Sequence, residues 1–270
     1  MSLRFGTPAY STAMPASEQQ IVKPEAPPAI EALLTRPPEV HVWCTLLDTN
    51  PSTINRLQSV LTPEERCRAK LYQSVQHQND FIQVRGTLRY LLGHYFCRPP
   101  GQIKLSYGPG GKPAVLPGTE PFELRFNLSR SQGLAVFAFT TGRSLGVDVE
   151  CLRSNLDHLM VARQFFSARE YHSLIAVPLE AQVDSFFHCW TRKEAMLKAL
   201  GQGLRIPLNS FDVPVAAGTM KCVASCGGRE WSLQSFSPSP EYVACVAAEG
   251  HAGRLRVHTA IPAELSELWN

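Results

Sequence analysis

Two stretches decide the predicted fold: FIQVRGTLRYLLGHYF at residues 81–96 and FFHCWTRKEAMLKALG at residues 186–201. In the first stretch, apolar side chains recur every three or four residues, which is the spacing of one face of an amphipathic helix. These side chains are Phe81, Val84, Leu88, Leu91 and Tyr95. The second stretch ends at Gly201, a residue type typical of a helix C-cap. A loop that contains Gly and Pro follows each helix, GPGGKP in one case and GQGLRIP in the other.

A capping-box motif precedes each predicted long helix. In TPEE at residues 62–65, Thr62 is the N-cap, Pro63 takes the first helical position and Glu65 is the acid three residues on. The stretch SARE at residues 167–170 repeats this box with Ser167 and Glu170. Because the same signals recur in the same order at matched spacing, we predict two similar halves.

Alternating apolar residues between the two long helices predict strands. Phe122, Leu124, Phe126 and Leu128 alternate with polar residues, and the stretches LAVFAF and LGVDVE follow. The intervening turn, TTGRS, predicts that LAVFAF and LGVDVE pair as a β-hairpin.

The fold prediction is therefore α+β, with two similar α/β lobes. We divide the chain into a disordered Pro-rich leader at 1–38, an N-terminal lobe at 39–150, a C-terminal lobe at 151–262 and a tail at 263–270. The leader prediction depends on composition, because residues 1–38 hold seven of the 21 prolines and only two aromatic residues.

Composition excludes several classes of protein. The formal net charge of +3 is too small to indicate a nucleic-acid partner. No apolar run approaches the roughly 18–20 residues of a membrane span, and the N-terminus lacks the apolar core of a secretory signal. We therefore expect a cytoplasmic protein. The eight cysteines are scattered, which favours buried reduced thiols over a zinc site or disulfides.

The stretch LGVDVE could carry chemistry. The period of a strand puts Val147 and Val149 on one face and directs Asp148 and Glu150 together to the other. Two carboxylates about 6–7 Å apart repel each other unless a cation lies between them, and oxygen ligands suit Mg²⁺. The alternative is the solvated face of an edge strand, and this is the better interpretation of the motif taken alone.

The stretch WTRKEAMLKALG could contribute to the same site. Trp190, Glu194 and Lys198 are spaced four apart and share one helix face, while Lys193 lies about 100° round from Glu194. These groups could bind a metal and a phosphate, or could form an ordinary salt bridge beside a core tryptophan. Taken separately, Arg68 and Arg85 are more typical of solvated or carboxylate-paired arginines than of ligand contacts.

The combination of motifs resembles the 4′-phosphopantetheinyl transferases. GVDVE and WTRKEAMLK are similar to the signature pair of that family, G-[IV]-D-[IVL]-E and W-[ST]-x-K-E-A-x-x-K. Further similar stretches follow in the right order over about residues 40–250: LTPEERCRAKLY, GKP, FNLSRS and FFSAREY. The length and the doubled halves resemble the two-lobed, surfactin-synthetase-activating type rather than the small trimeric type. The resemblance implies a pseudo-dimer with the active site in the cleft between the lobes.

The resemblance also implies site residues. Mg²⁺ would be held by Asp148, Glu150 and Glu194, and the pyrophosphate of coenzyme A would be neutralised by Lys193 and Lys198. The adenosine end would meet Lys112 and Pro113, the 3′-phosphate would meet Arg68, and a phosphate would meet Ser129 and Arg130. The residues implied in catalysis are Glu150, Glu194 and Lys198.

One position departs from the family pattern. Residue 130 is Arg where the family has His. Arginine is permanently charged and can bind phosphate through two hydrogen bonds, so coenzyme A binding is compatible with this change. Arginine is not compatible with any role that needs a titratable proton at this position.

The implied reaction is Mg²⁺-dependent transfer of 4′-phosphopantetheine from coenzyme A to a serine of an apo acyl or peptidyl carrier protein, with release of 3′,5′-ADP. Such carriers serve fatty-acid, polyketide and nonribosomal-peptide synthesis, and we expect a monomer. Two alternatives stay open. The first is another Mg²⁺-dependent phosphotransferase or pyrophosphatase, and the second is a non-catalytic module that binds carrier proteins or coenzyme A.

Overall fold

A computed structural model describes residues 39–47, 50–108, 112–201, 206–251 and 253–259. The helices and strands in chain order are β1 (Val40–Leu46), α1 (Pro51–Ser59), α2 (Pro63–Lys70), α3 (Val75–Phe96), β2 (Leu105–Tyr107), β3 (Pro113–Val115), β4 (Leu124–Ser131), β5 (Leu134–Thr141), β6 (Leu145–Cys151), α4 (His158–Phe165), α5 (Ala168–Ile175), α6 (Leu179–Leu200), β7 (Lys221–Cys226), β8 (Arg229–Phe236), β9 (Tyr242–Glu249) and β10 (Leu255–Thr259). The predicted leader and tail lie outside the described residues. No helix in these ranges is long and apolar enough to cross a membrane.

Two four-stranded sheets, each with its own long helix, form the fold. The strand orders are β10-β1-β5-β4 and β6-β9-β8-β7. The long helix α3 contributes Leu88 and Leu91 to a core with Trp43 and Phe137 of the first sheet. In the second half, α6 forms the equivalent core with β7, β8 and β9. The predicted α+β fold with two similar halves is confirmed.

A third apolar layer joins the two sheets. Val42 and Val136 of the first sheet and Val147 and Val246 of the second belong to one buried cluster, and all four side chains are inaccessible to solvent. Burial of apolar surface from both sheets favours their association by about 25 cal/mol per Å². The two halves therefore share a core rather than meeting across a solvated boundary.

Both capping boxes form as the sequence predicts. Thr62 Oγ1 accepts from the Glu65 amide at 3.3 Å, and the Glu65 carboxylate accepts from the Thr62 amide at 3.0 Å. The Ser167 and Glu170 pair makes the same two contacts. Helix α6 ends at Gly201, which has a left-handed φ of 68°. The predicted starts of α2 and α5 and the predicted end of α6 are confirmed.

The predicted hairpin between LAVFAF and LGVDVE is wrong. Strand β5 lies between β1 and β4 and pairs antiparallel with both, whereas β6 pairs with β9. Both edges of β5 are therefore occupied, and no backbone groups remain to pair with β6. The turn that connects β5 to β6 instead carries the chain from the first sheet to the second.

The sheets also differ from the predicted division at residue 150. Strand β6 begins at Leu145 and belongs to the second sheet. Strand β10 lies within the range 151–262 but pairs in parallel with β1 of the first sheet, with Val40 opposite Leu255. The physical reason is that β1 would otherwise expose an unpaired backbone edge, which β10 covers.

Candidate active site

Side chains of β4 connect the first sheet to β6 of the second. Four hydrogen bonds cross here. The Val147 amide donates to Asn127 Oδ1, Ser129 Oγ donates to Asp148 Oδ1, and Ser131 Oγ donates to Glu150 Oε2, each at 2.8 Å. The Cys151 amide donates to Ser131 Oγ at 3.2 Å. The three β4 residues alternate along the strand and so share one face. We call this set of contacts the β4–β6 seam.

The alternation predicted for β6 is present. Val147 and Val149 are fully buried in the apolar layer, while Asp148 and Glu150 point to the seam. The ammonium group of Lys198 lies 2.7 Å from Asp148 Oδ1 and 2.7 Å from Ser129 Oγ. One cation of α6 therefore contacts both strands of the seam.

Helix α6 reaches the seam because Gly146 has no side chain. A Cβ atom at Gly146 would lie 2.1 Å from the carbonyl oxygen of Ala195 and 2.4 Å from the amide nitrogen of Ala199. The helix backbone therefore rests directly on β6, with Glu194 and Lys198 at the contact. In the sequence, Gly146 is notable only as part of the GVDVE motif, and the structure supplies the physical reason for a glycine there.

Three carboxylates share this region. Burial, and then the charge of Asp148, raise the pKa of Glu150 above its ordinary value. Burial raises the pKa of Glu194 in the same direction, with further contributions from Asp148 and Glu150. The charge of Asp148 therefore disfavours ionisation of Glu150 and Glu194, and a cation would relieve that repulsion.

The donor set suits a hard divalent cation. All three groups offer carboxylate oxygens, the ligands that Mg²⁺ prefers. Asp148 Oδ2 is buried and accepts no hydrogen bond, so one oxygen is available to a ligand. Within the described ranges, no three acidic, histidine or cysteine side chains already converge tightly enough to hold a metal ion. Binding of a metal ion by Asp148, Glu150 and Glu194 therefore stays a prediction.

A pocket of about 390 Å³ opens beside the seam. It gathers five residues that the resemblance implies for coenzyme A, contributed by α2, β3, β4 and α6: Arg68, Pro113, Ser129, Arg130 and Lys198. Its other lining residues include Tyr72, Phe81 and Arg85. Cations and aromatic rings therefore both line this pocket.

Arg130 is held by an acid of α3. Its Nη1 atom lies 2.9 Å from Asp80 Oδ2, and the Asp80 carboxylate also accepts a hydrogen bond of 2.8 Å from Gln76. The Arg130 side chain is 44% exposed, so much of its guanidinium still faces the pocket and solvent. The substitution that departs from the family pattern therefore has a carboxylate partner in this chain.

Arg85 is a pocket residue that sequence analysis did not select. Its guanidinium lies over the rings of Phe81 and Tyr107, at 5.7 and 5.6 Å from their centroids. The nearest Glu65 carboxylate oxygen is 3.6 Å away, and Arg85 Nη1 is buried with no hydrogen-bond partner. Burial lowers the pKa of Arg85 from its ordinary value. Phe81 and Arg85 are four residues apart on one helix face, but that spacing alone does not indicate a site.

Two lysines predicted to contact coenzyme A have protein partners in the structure, and for Lys193 the prediction is corrected. Lys193 is fully buried, and its ammonium lies 2.8 Å from Glu170 Oε1 and donates to the carbonyls of Leu208 and Phe211. It faces the core of the second half because the helix turns by about 100° per residue. Lys193 therefore stabilises the fold.

The Lys112 ammonium contacts two backbone carbonyls, and its contact with the adenosine end of coenzyme A stays a prediction. It donates to the carbonyl oxygens of Leu145 at 3.1 Å and Lys198 at 2.7 Å. Burial, together with the charges of Arg125 and Lys198, lowers the pKa of Lys112 to about 8, so the amine is still mainly protonated at neutral pH. Pro113, the next residue, does line the pocket.

Comparisons with known proteins place these motifs in one family. Residues 144–247, which include β6 and α6, match the family described as the 4′-phosphopantetheinyl transferase superfamily. The 4′-phosphopantetheinyl transferase HetI of Nostoc sp. is 36% identical over 212 residues, which cover 78% of this chain and 88% of that protein. The 4′-phosphopantetheinyl transferase Sfp of Bacillus subtilis is 32% identical over 162 residues, 58% of this chain and 68% of Sfp. AcpT of Escherichia coli O157:H7 is 34% identical over 152 residues, 56% of this chain and 73% of AcpT.

Proposed function

Because the chain belongs to the 4′-phosphopantetheinyl transferase superfamily, we propose that the β4–β6 seam and the adjoining pocket form its active site. The enzyme transfers 4′-phosphopantetheine from coenzyme A to a serine of a carrier protein and releases 3′,5′-ADP. The observation that carries the assignment is the position of the pocket. Four cationic side chains line it, and Lys198 also contacts the carboxylate of Asp148.

The pocket cations would bind the phosphates of coenzyme A. Guanidinium groups such as those of Arg68 and Arg130 match phosphate oxygens through paired hydrogen bonds. The buried, unpartnered Nη1 of Arg85 supports a third contact of this kind. Lys198 would add fixed positive charge where the leaving phosphate accumulates negative charge. The Ser129 hydroxyl accepts from Lys198 and donates to Asp148, and it would redirect its proton to a phosphate oxygen when coenzyme A binds.

The metal would be Mg²⁺, held by Asp148, Glu150 and Glu194. The oxygen ligands, the pKa values of Glu150 and Glu194 raised by burial and by the charge of Asp148, and the unpartnered Oδ2 of Asp148 support this assignment. When bound, the metal would neutralise charge on the pyrophosphate. Glu150 or Glu194 would accept the proton of the attacking serine, and a pKa raised above the ordinary carboxylate value favours that role.

Intact mass measurement tests the proposal. Incubation with an apo acyl or peptidyl carrier, coenzyme A and Mg²⁺ should add one phosphopantetheine to the carrier, and chelation of divalent metal should stop the addition. Asp148→Asn should lower turnover at least 100-fold, because it removes a charged ligand from the metal. Asp157→Asn is the matched control, since Asp157 is an exposed N-cap that Asn can replace.

The outcomes separate this function from the first alternative, another Mg²⁺-dependent phosphotransferase or pyrophosphatase. Release of 3′,5′-ADP without a carrier would indicate a phosphotransferase or pyrophosphatase that uses the same pocket. Equal turnover in Asp148→Asn and Asp157→Asn would contradict the metal assignment. We further propose that the enzyme is cytoplasmic. We also propose that it acts as a monomer, because elements of a single chain supply both the three carboxylates and the lining of the pocket. Sedimentation at assay concentration tests the monomer.

A further inference from the structure

Lys112 joins three segments at one point. It lies immediately before β3, in the half that carries the first sheet, but its ammonium reaches the start of β6 and the end of α6. The acceptors are the backbone carbonyls of Leu145, at 3.1 Å, and Lys198, at 2.7 Å. Its partners are therefore backbone atoms of the elements that carry the acids and the lysine of the active site.

The end of α6 needs such a partner. The last carbonyls of an α-helix have no amide partner within the helix, and they carry the negative end of its dipole. The Gly201 amide donates to the Leu197 carbonyl. The Lys112 ammonium satisfies the Lys198 carbonyl, the next one along the helix, and places a positive charge at the favourable end of the dipole.

We propose that Lys112 is a positioning residue of the transferase: it fixes the last turn of α6 onto β6, and thereby sets where the Lys198 ammonium lies. The carbonyl that Lys112 holds and the ammonium that contacts Asp148 and Ser129 belong to the same residue. Gly146 lets the helix approach the strand, and Lys112 keeps its end in place. The inference rests on the proposed active site.

Kinetics of Lys112→Met separate positioning from direct contact with coenzyme A. Methionine keeps the length and apolar stem but loses the donor and the charge. Positioning predicts a loss of tenfold or more in kcat, because misplacement by a fraction of an ångström is costly in a preorganised site. It also predicts less than twofold change in KM for coenzyme A and in Kd for 3′,5′-ADP. Lys104→Met, which removes an exposed lysine of the same segment, should leave all three values unchanged.

Amide hydrogen exchange gives a readout that does not need activity. In Lys112→Met, amides in the last turn of α6 should exchange at least fivefold faster than in the wild type, while those of α3 should not change. A higher KM with unchanged kcat and unchanged exchange would show that Lys112 contacts the ligand and would overturn the inference. Absence of carrier modification by the wild type would instead overturn the proposed function, and the exchange result would still decide the contact with α6. If Lys112→Met does not fold, the same measurements on Lys112→Gln decide.

Discussion

Replacing Gly146 by alanine tests the close approach of α6 to β6. The added methyl group would lie 2.1 Å from the Ala195 carbonyl oxygen and 2.4 Å from the Ala199 amide nitrogen. Ordinary contact begins near 3.4 Å, so helix and strand must separate by about 1 Å. Both obstructing atoms belong to the helix backbone, which cannot turn aside as a side chain can.

The expected cost has two parts. Overpacking of a well-packed core lowers the free energy of unfolding by about 1–3 kcal/mol, and the backbone clash places Gly146→Ala at the upper end. Separation by about 1 Å also breaks the 2.7 Å contact between Lys198 and Asp148, and misplacement of that size lowers turnover by about 100-fold.

Urea unfolding and carrier-modification kinetics measure the two effects. Gly218→Ala is the matched control, because nothing lies within 4 Å of its Cβ position and its φ is outside the left-handed region. It should keep full turnover and unchanged or slightly higher stability. If Gly146→Ala retained both wild-type stability and wild-type turnover, the close packing of α6 on β6 would be refuted.

Three further predictions concern other parts of the molecule. Arg89→Met should lower the free energy of unfolding, measured by urea titration, by about 3–5 kcal/mol, because the buried carboxylate of Glu65 loses its main partner, 2.6 Å away. A loss below 1 kcal/mol would contradict this prediction. In calorimetric titration, Arg130→His should weaken coenzyme A binding by about 1 kcal/mol at pH 8 and by less at pH 6, because imidazole loses its charge above a pKa of about 6.5. Equal losses at both pH values would argue against a contact that depends on charge. Burial, and then the nearby charge of His258, lower the pKa of His41 to about 4, so below pH ~6.5 the unfolded chain binds a proton that the folded chain does not. Stability should therefore fall as the pH drops from about 6.5 to 4, by up to about 3 kcal/mol, and His41→Gln should show a shallower fall.

Much of the fold and part of the site could be predicted from local patterns. The capping boxes fix the starts of α2 and α5, and the period of a strand directs Asp148 and Glu150 to one face of β6. These features depend on residues within a few positions of each other. The resemblance to the family selected Arg68, Ser129, Arg130 and Lys198, and one pocket gathers them.

The remaining features depend on partners far away in the sequence. The turn between β5 and β6 has the composition of a hairpin, but β1 and β4 take both edges of β5. Lys193 lies beside Glu194 in the sequence, yet Glu170 from α5 holds it in the core. Likewise, Lys112 reaches carbonyls that no side-chain pattern can indicate. In each case the partner lies far away in the sequence, so a local pattern could not predict which contact the strand or side chain makes.

The pairing of β1 with β10 has a consequence for synthesis of the chain. Val40 lies in the first described strand and pairs with Leu255 in the last described strand, so the first sheet is complete only after Leu255 has been synthesised. Ribosomes add roughly 5–20 residues per second, so this interval lasts on the order of tens of seconds. During that time the outer edge of β1 offers unpaired amides and carbonyls to any extended segment nearby. The nascent enzyme is therefore exposed to misassociation until β10 has been synthesised, because its first sheet lacks that one strand until then.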